Sequence, residues 1–422
     1  MPIRHSFEVL REPGFRRLFV GRTASLIGDG LAPVALAFAV LDLTGSATDL
    51  GLVLAAHSLV MTALVLVGGV YADRLSPRLA MLGADLVRVV STGLIAVLLL
   101  TGAAAIWQLV VLYAVAGAAT AFFNPASDSL VPQLVPASRL RDGYALLNFS
   151  RSAGRFAGPA LAGVVLAIGS PGDALAIDAA TFAISAACLL RVHAPRPPRP
   201  AVATSFLTDL RGGWSEFASR TWLWSIVVAA AVSNAVCFPA FQVLGPTVAK
   251  AELGGSSAWA LIAASMGLGA VLGALLSLLV RPRRPLLAGE GFLVALALPI
   301  ALLALPAATA AIALGALVSG IAGTFASVLW ESTWVQHVPA AARSRVSAYD
   351  WFGSLALEPL GLALVGPLAA GIGTSTTLWL CAVVVLGCQV ATLSIPSVRR
   401  LRAGPGAAPV PIAMPPPVEA GD

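Results

Sequence analysis

The sequence predicts an all-α integral membrane protein, with twelve transmembrane helices in two pseudo-symmetric six-helix halves. Three observations carry that prediction. The 422 residues are 58% hydrophobic and 11% charged, against ~25% charged in a typical soluble protein, and mean hydropathy is +0.89. Apolar segments of bilayer-spanning length recur twelve times. Basic residues crowd into every second connection between them. Composition alone excludes a disordered chain, a coiled coil and an ordinary soluble enzyme.

The first six segments are Leu18–Leu41, Leu50–Tyr71, Leu79–Leu100, Ile106–Phe123, Asn148–Ile168 and Ala174–Leu190. The second six are Leu223–Leu244, Ala258–Val280, Leu286–Leu305, Ala308–Leu329, Trp351–Gly371 and Thr377–Leu393. At ~20 residues per crossing each is one span, and a helix is the form in which a lone segment satisfies its own backbone in lipid.

The connections alternate sharply in charge. The N-terminal tail carries Arg4, Arg11, Arg16 and Arg17. The later basic connections hold Arg74 and Arg78, Arg139 and Arg141, five arginines from Arg191 to Arg220, Arg281 to Arg284, and Arg343 and Arg345. The C-terminal tail adds Arg399, Arg400 and Arg402, which brings 21 of the 26 basic residues to one side. The opposite connections hold Lys250. Positively charged loops stay in the cytoplasm, so the pattern predicts a multi-pass protein of the cell (inner) membrane with both termini inside. The net charge of +6 then orients the chain and meets anionic headgroups, and does not point to nucleic acid. The first apolar segment follows four arginines and lacks a cleavage-type end, so it is expected to stay as a helix.

Four domains follow: an N-terminal half over 1–190, a cytoplasmic central loop over 191–220, a C-terminal half over 221–398 and a disordered cytoplasmic tail over 399–422. The stretch RVHAPRPPRP from Arg191 cannot be helical. After it, Phe206, Leu210, Trp214 and Phe217 fall on one helical face, as in a short amphipathic helix on the membrane surface.

No enzyme chemistry survives inspection. Cys188, Cys237, Cys381 and Cys388 sit in apolar runs and read as small embedded hydrophobes. The four histidines are scattered without ligand spacing. No phosphate-cradling loop is present, so neither ATP drive, a cofactor nor a metal is expected.

The halves repeat. An offset of 203 residues pairs Gln133 with Gln336, Pro136 with Pro339, Gly158 with Gly361 and Gly163 with Gly366. It also pairs Asp128 with Glu331 and Arg155 with Glu358. Internally repeated halves are the architecture of many secondary transporters, with the site at their interface.

Two motifs then carry a resemblance. Gly69-Val-Tyr-Ala-Asp73-Arg74-Leu-Ser-Pro-Arg78, after span two, resembles the loop signature G-x-x-x-D-R-x-G-R-R/K of the major facilitator superfamily; Ser76 and Pro77 depart from it. Gly154-Arg-Phe-Ala-Gly158-Pro159-Ala-Leu-Ala-Gly163 resembles the antiporter signature G-x-x-x-G-P-x-x-G-G, with Ala162 departing. FRRLFVGRTASLIGD from Phe15 and FFNPASDSLVPQLVP from Phe122 resemble the drug:proton antiporter group that includes macrolide-type efflux proteins and enterobactin exporters.

The resemblance implies the major facilitator fold and a cytoplasmic gate. In that gate Asp73 can face the N-terminal end of span eleven and Arg74 and Arg78 can add ion pairs; a solvated turn of positive-inside residues is the alternative. Asp128 and Glu331 lie near the cytoplasmic ends of their spans and read as gate or cap residues. The resemblance also implies that the Gly154–Gly163 stretch packs and flexes at the boundary between halves. Plain helix packing explains that stretch equally well.

Charges inside spans cost ~2.5–3.5 kcal/mol at a helix centre, so each needs a reason. Asp29 lies near mid-depth in span one, with Arg22 seven residues earlier on roughly the same face. Asn234 sits at similar depth in span seven and His57 well inside span two. Asp85 and Arg88, three apart in span three, can neutralise each other. Proton coupling needs a carboxylate that alternates between a desolvated setting and one near a cation. Asp29 is the first candidate and Glu358 the second, with Arg155 as the competing cation or the binder of an anionic group. The alternatives are a static Asp29–Arg22 pair, structural pairing of Glu358 and Arg155, and a packing role for His57. Many proton-coupled relatives carry an arginine inside span four, and here that span has none.

The expected activity is secondary export of a lipophilic or amphipathic small molecule, antibiotic-like or siderophore-like, by proton antiport and alternating access. An importer of a small metabolite is the alternative. A membrane enzyme would need an interfacial catalytic cluster. Phe241, Trp330, Trp334 and Trp351 either line an apolar pocket or anchor the interface. The expected partners are the small molecule, protons and the bilayer, with the chain acting as a monomer.

Overall fold

The computed structural model describes residues 7–72, 76–136, 139–193, 214–305, 307–339 and 343–402. The first half holds α1 (Pro13–Thr44), α2 (Ala47–Ala72), α3 (Pro77–Leu100), α4 (Ile106–Leu134), α5 (Leu140–Ile168) and α6 (Pro171–Leu190). The second holds α7 (Thr221–Glu252), α8 (Ser256–Leu279), α9 (Pro285–Ala304) and α10 (Thr309–His337). It continues with α11, in two pieces (Arg343–Leu355 and Glu358–Ile372), and α12 (Thr374–Ser394). Eleven helices among the described residues are long and apolar enough to cross a bilayer. The twelfth, α5, has 29 residues and is diluted by Arg151 and Arg155.

Prolines open α1, α3, α6 and α9 in their first turns, where the missing N–H costs nothing. A reciprocal cap starts α6: Asp173 N–H donates to Ser170 Oγ (3.3 Å), and Ser170 N–H to Asp173 Oδ2 (2.8 Å). Several helices outrun their apolar segments. Helix α4 continues past Phe123 to Leu134, α10 past Leu329 to His337, and α5 begins at Leu140 rather than Asn148. Hydropathy marks where a helix leaves the hydrocarbon, not where its hydrogen-bond ladder stops.

Two helices are discontinuous. Pro239 lacks an N–H for the Ala235 carbonyl, and the next turn, Ala240–Leu244, widens into a π-helix. Helix α11 breaks between Leu355 and Glu358, with Pro359 in the first turn of the second piece.

The repeat is visible in the packing. A Cβ on Gly158 would lie 2.5 Å from Gly30 Cα, where α5 presses on α1; one on Gly361 would collide with the Ala235 carbonyl, where α11 presses on α7. A Cβ on Gly163 would lie 2.6 Å from Ala260 Cβ of α8, and one on Gly366 2.5 Å from Thr48 Cα of α2. So Gly158 and Gly361 pack within their halves, while Gly163 and Gly366 bring the halves together.

Buried apolar residues form one cluster that draws on both halves, including Leu31 to Leu41 of α1, Leu50 to Ala55 of α2, Val243 to Ala249 of α7 and Leu362 to Ala369 of α11. All of these lie toward the arginine-poor end. Toward the arginine-rich end there are two clusters. One joins Phe15, Met81, Phe123 and Leu189 of the first half, and the other Trp222, Leu286, Val338 and Val398 of the second. The halves thus share a core at one end and have separate cores at the other. Lys250 adds a polar clasp at the shared end: its Nζ donates to Asp42 Oδ1 and to the Leu41 carbonyl, each at 2.6 Å.

The central loop is described in part. Trp214 and Phe217 lie in a short helical turn with their rings 5.6 and 5.7 Å from that of Tyr349. Phe206, Leu210 and the tail from residue 403 lie outside the described residues.

Candidate functional site

Two cavities lie between the cores. The first, about 410 Å³, is built mainly by α1 to α4 and α6 of the first half. Its polar wall holds Arg22, Asp29, His57, Arg88, Asp178 and Glu358. Arg88 organises this wall. It is 2% exposed, donates to Asp85 and lies 3.6 Å from Asp29 Oδ1. Its guanidinium sits between the Phe123 and Phe182 rings, 4.2 Å from each centroid. Such double stacking holds a planar cation without hydrating it. Asp29 opens on the cavity, with 39% of its side chain exposed. Asp178, 2% exposed, keeps Oδ1 without a hydrogen-bond partner among the described residues. His57 stacks on Tyr113 at 4.5 Å.

The second cavity, about 710 Å³, is built mainly by the second half and is walled largely by apolar residues, among them Phe238, Phe241, Trp259, Met266 and Trp330. The π-helical turn after Pro239 carries Phe241 and Gln242 into the wall. Its charged members are Arg155, Glu290 and Asp350. Trp330 Nε1 donates to Asp350 Oδ2 at 3.1 Å, and Asn234 Nδ2 to the Ser354 carbonyl at 3.0 Å. Arg155 and Glu290 have no ion pair or side-chain hydrogen bond among the described residues. Pro33, Leu54 and Gln242 line both cavities.

The sequence profile of the Major Facilitator Superfamily matches residues 18–356. The chain belongs to that superfamily. The multidrug efflux pump Tap of Mycolicibacterium fortuitum is 28% identical over 414 residues, covering 93% of this chain and 97% of that protein. Macrolide efflux protein A of Streptococcus pyogenes is 24% identical over 182 residues, 43% of this chain and 45% of that protein. Among solved structures, a mutant of the peptide transporter POT superposes with a TM-score of 0.75 at 14% identity, covering 92% of this chain and 95% of that one. The nucleoside transporter NupG superposes at 0.71 and 15% identity, covering 90% and 98%. This chain is therefore a secondary transporter of the superfamily and not an enzyme, and the structural likenesses establish its fold.

Measured against the superfamily signatures, several side chains do something other than expected. Arg78 makes no ion pair among the described residues. Its Nε and terminal nitrogen donate to the Leu189 and Leu190 carbonyls at 2.8 and 2.7 Å, and so cap the last carbonyls of α6. Gly69 lies in α2; Asp73 and Arg74 lie outside the described residues. Asp128 accepts from Arg151 at 3.0 Å within the first half, and Glu331 is exposed. Gly154 and Gly158 face α1 in their own half, not the boundary between halves. The boundary contact comes from the Arg155 backbone against Gly267 and from Gly163, while Pro159 faces the second cavity.

Asp29 pairs with Arg88 and not with Arg22. Two helical turns separate Arg22 from Asp29, about 10 Å of rise, and Arg22 instead donates to Asn124 Oδ1 at 3.3 Å and lies over Phe123. Asp85 and Arg88 do not simply neutralise each other, since Arg88 also faces Asp29. Arg155 and Glu358 line different cavities and do not pair. Phe241 and Trp330 line the second cavity; Trp351 is 65% exposed, and Trp334 packs in the second half's end cluster. The sequence reading passed over Asp178, Glu290 and Gln389. All three sit inside the apolar segments it delimited, and testing every polar residue within a span would have found them.

Proposed function

We propose that this transporter exports a lipophilic or amphipathic small molecule, antibiotic-like or siderophore-like, across the cell membrane in exchange for protons. The observation that carries this reading is the division of labour between the two cavities. A large cavity walled by aromatic and apolar side chains suits an amphipathic cargo, while its smaller neighbour collects carboxylates around two buried arginines, Arg88 and Arg22, as a proton site requires. Asp29 is the proposed coupling carboxylate, with Arg88 as its competing cation and Glu358 as the second acid. The similarity to Tap and to macrolide efflux protein A supports the direction and the class of cargo. The positive-inside rule puts the arginine-rich end and both termini in the cytoplasm. The shared core and the Lys250 clasp then close the outer side, and cargo loads from the cytoplasm.

The test is protection of a drug-sensitive bacterial host by the full-length chain, at matched membrane expression, across lipophilic antibiotics with and without a protonophore. Protection that the protonophore abolishes and Asp29→Asn lacks is the expected result. Protection untouched by both would remove proton antiport. Sensitisation in place of protection would favour an importer.

A further inference from the structure

The second cavity is lined by a carboxylate that the protein itself leaves unpaired among the described residues. Glu290 is 7% exposed and is the fifth residue beyond the start of α9, roughly 7–8 Å along the axis. No hydrogen bond or ion pair to it is formed among the described residues. Gln389 of α12 and Ser233 of α7, each 3% exposed, line the same cavity, and Gln389 Oε1 and Ser233 Oγ have no partner among the described residues. An unpaired buried acceptor costs ~1–3 kcal/mol, and more when charged, so an unpaired carboxylate at Glu290 needs an explanation. Packing does not supply one, because an apolar residue of similar volume at that position would be less costly. A ligand bearing donors does.

We propose that Glu290, with Gln389 and Ser233 in the lining of the same cavity, forms a subsite for a protonated amine of the cargo. This rests on the reading of the second cavity as the cargo cavity, and it narrows the cargo to amphipathic amines. Glu290 supplies the counter-charge. Trp330, Phe241 and Trp259 supply aromatic surface for the apolar body. Arg155, on the wall contributed by α5, repels the amine from that side and donates to carbonyl or hydroxyl oxygens of the same molecule. The cargo therefore lies with its amine toward α9 and its acceptors toward α5.

The test uses the full chain in lipid nanodiscs and two fluorescent probes that share one aromatic body. Dansylcadaverine carries a primary amine, and its N-acetyl derivative carries a neutral amide. Wild type is expected to bind the amine at least about tenfold more tightly, the scale of one charge-assisted hydrogen bond. Glu290→Gln should bring the two affinities within about twofold of each other while the acetylated probe binds as before, which also shows that the variant is folded. Glu290→Asp should keep part of the preference. Equal affinities in wild type, a preference that survives in Glu290→Gln, or no binding of either probe to wild type would each overturn the proposal. Binding in nanodiscs needs no gradient. An amine preference that depends on Glu290, without protonophore-sensitive protection in cells, would sink proton-driven export and leave the subsite standing.

Discussion

Replacing Lys250 with alanine should loosen the arginine-poor end by a calculable amount. Lys250 is the single lysine of the chain and joins the halves through Asp42 Oδ1 and the Leu41 carbonyl, both at 2.6 Å. The side chains are 37% and 55% exposed, so the ion pair itself contributes about 0.2–1 kcal/mol. A cation on the last-turn carbonyls of α1 adds about 0.3–1 kcal/mol. Together, Lys250→Ala should shift the balance between closed and open arrangements about two- to thirtyfold toward open. Pulsed electron-spin distance measurements can read this in nanodiscs, with labels at Ala103→Cys and Gly371→Cys, exposed positions on opposite halves, after replacement of the four native cysteines. The long-distance population should grow in Lys250→Ala and less in Asp42→Asn, which keeps an acceptor for the ammonium. Salt near 1 M, where the screening length falls to about 3 Å, should shift wild type part of the way. Distance distributions that are the same in wild type, Lys250→Ala and high salt would refute the clasp.

Two further predictions concern stability. Gly361→Ala would place a methyl against the Ala235 carbonyl and should lower stability by about 1–3 kcal/mol or prevent folding. Gly387→Ala, with nothing within 4 Å of the added carbon, should change little, and thermal unfolding of the purified variants compares them. Arg88→Leu leaves Asp85, 0% exposed, as a buried unpaired charge and should cost about 3–5 kcal/mol. The double replacement Asp85→Leu/Arg88→Leu should recover much of that loss, and a double variant no more stable than Arg88→Leu would show that Arg88 acts through its stacking on Phe123 and Phe182 instead.

The spans and the repeat were legible because each depends on a local property. Lipid demands a continuous apolar run, and close helix contacts demand glycine at the same register in both halves, as at Gly158 and Gly361. The partners of the charged residues were not legible. Asp29 was matched to Arg22 because the two share a helix face, whereas its partner, Arg88, comes from a helix that sequence does not place beside it. Arg78 looked like an ion-pairing loop residue because the carbonyls at the end of α6, 111 residues away, leave no trace in side-chain identity. Glu290 was passed over for a related reason. It follows Arg281, Arg283 and Arg284 closely, and near such a cluster an acid reads as part of the interface until its burial is known.

The exchange of helices between cavities links these observations to transport. Helix α5 belongs to the first half but packs on α8 and gives Arg155 and Pro159 to the second cavity. Helix α11 belongs to the second half but packs on α2 and gives Glu358 and Leu362 to the first. Each cavity therefore has one wall borrowed from the opposite half, and the borrowed residues Arg155 and Glu358 occupy the same position in the repeat. Rocking one half against the other cannot move the Arg155 wall relative to Glu290 without also moving the Glu358 wall relative to Asp29. The proposed exchange of cargo for protons thus needs no hydrogen-bonded wire between the two clusters. It needs only that both cavities be cut by the same interface, and the glycine contacts at Gly163 and Gly366, tight against Ala260 and Thr48, leave that interface little room to slide and so favour rotation about the arginine-poor end.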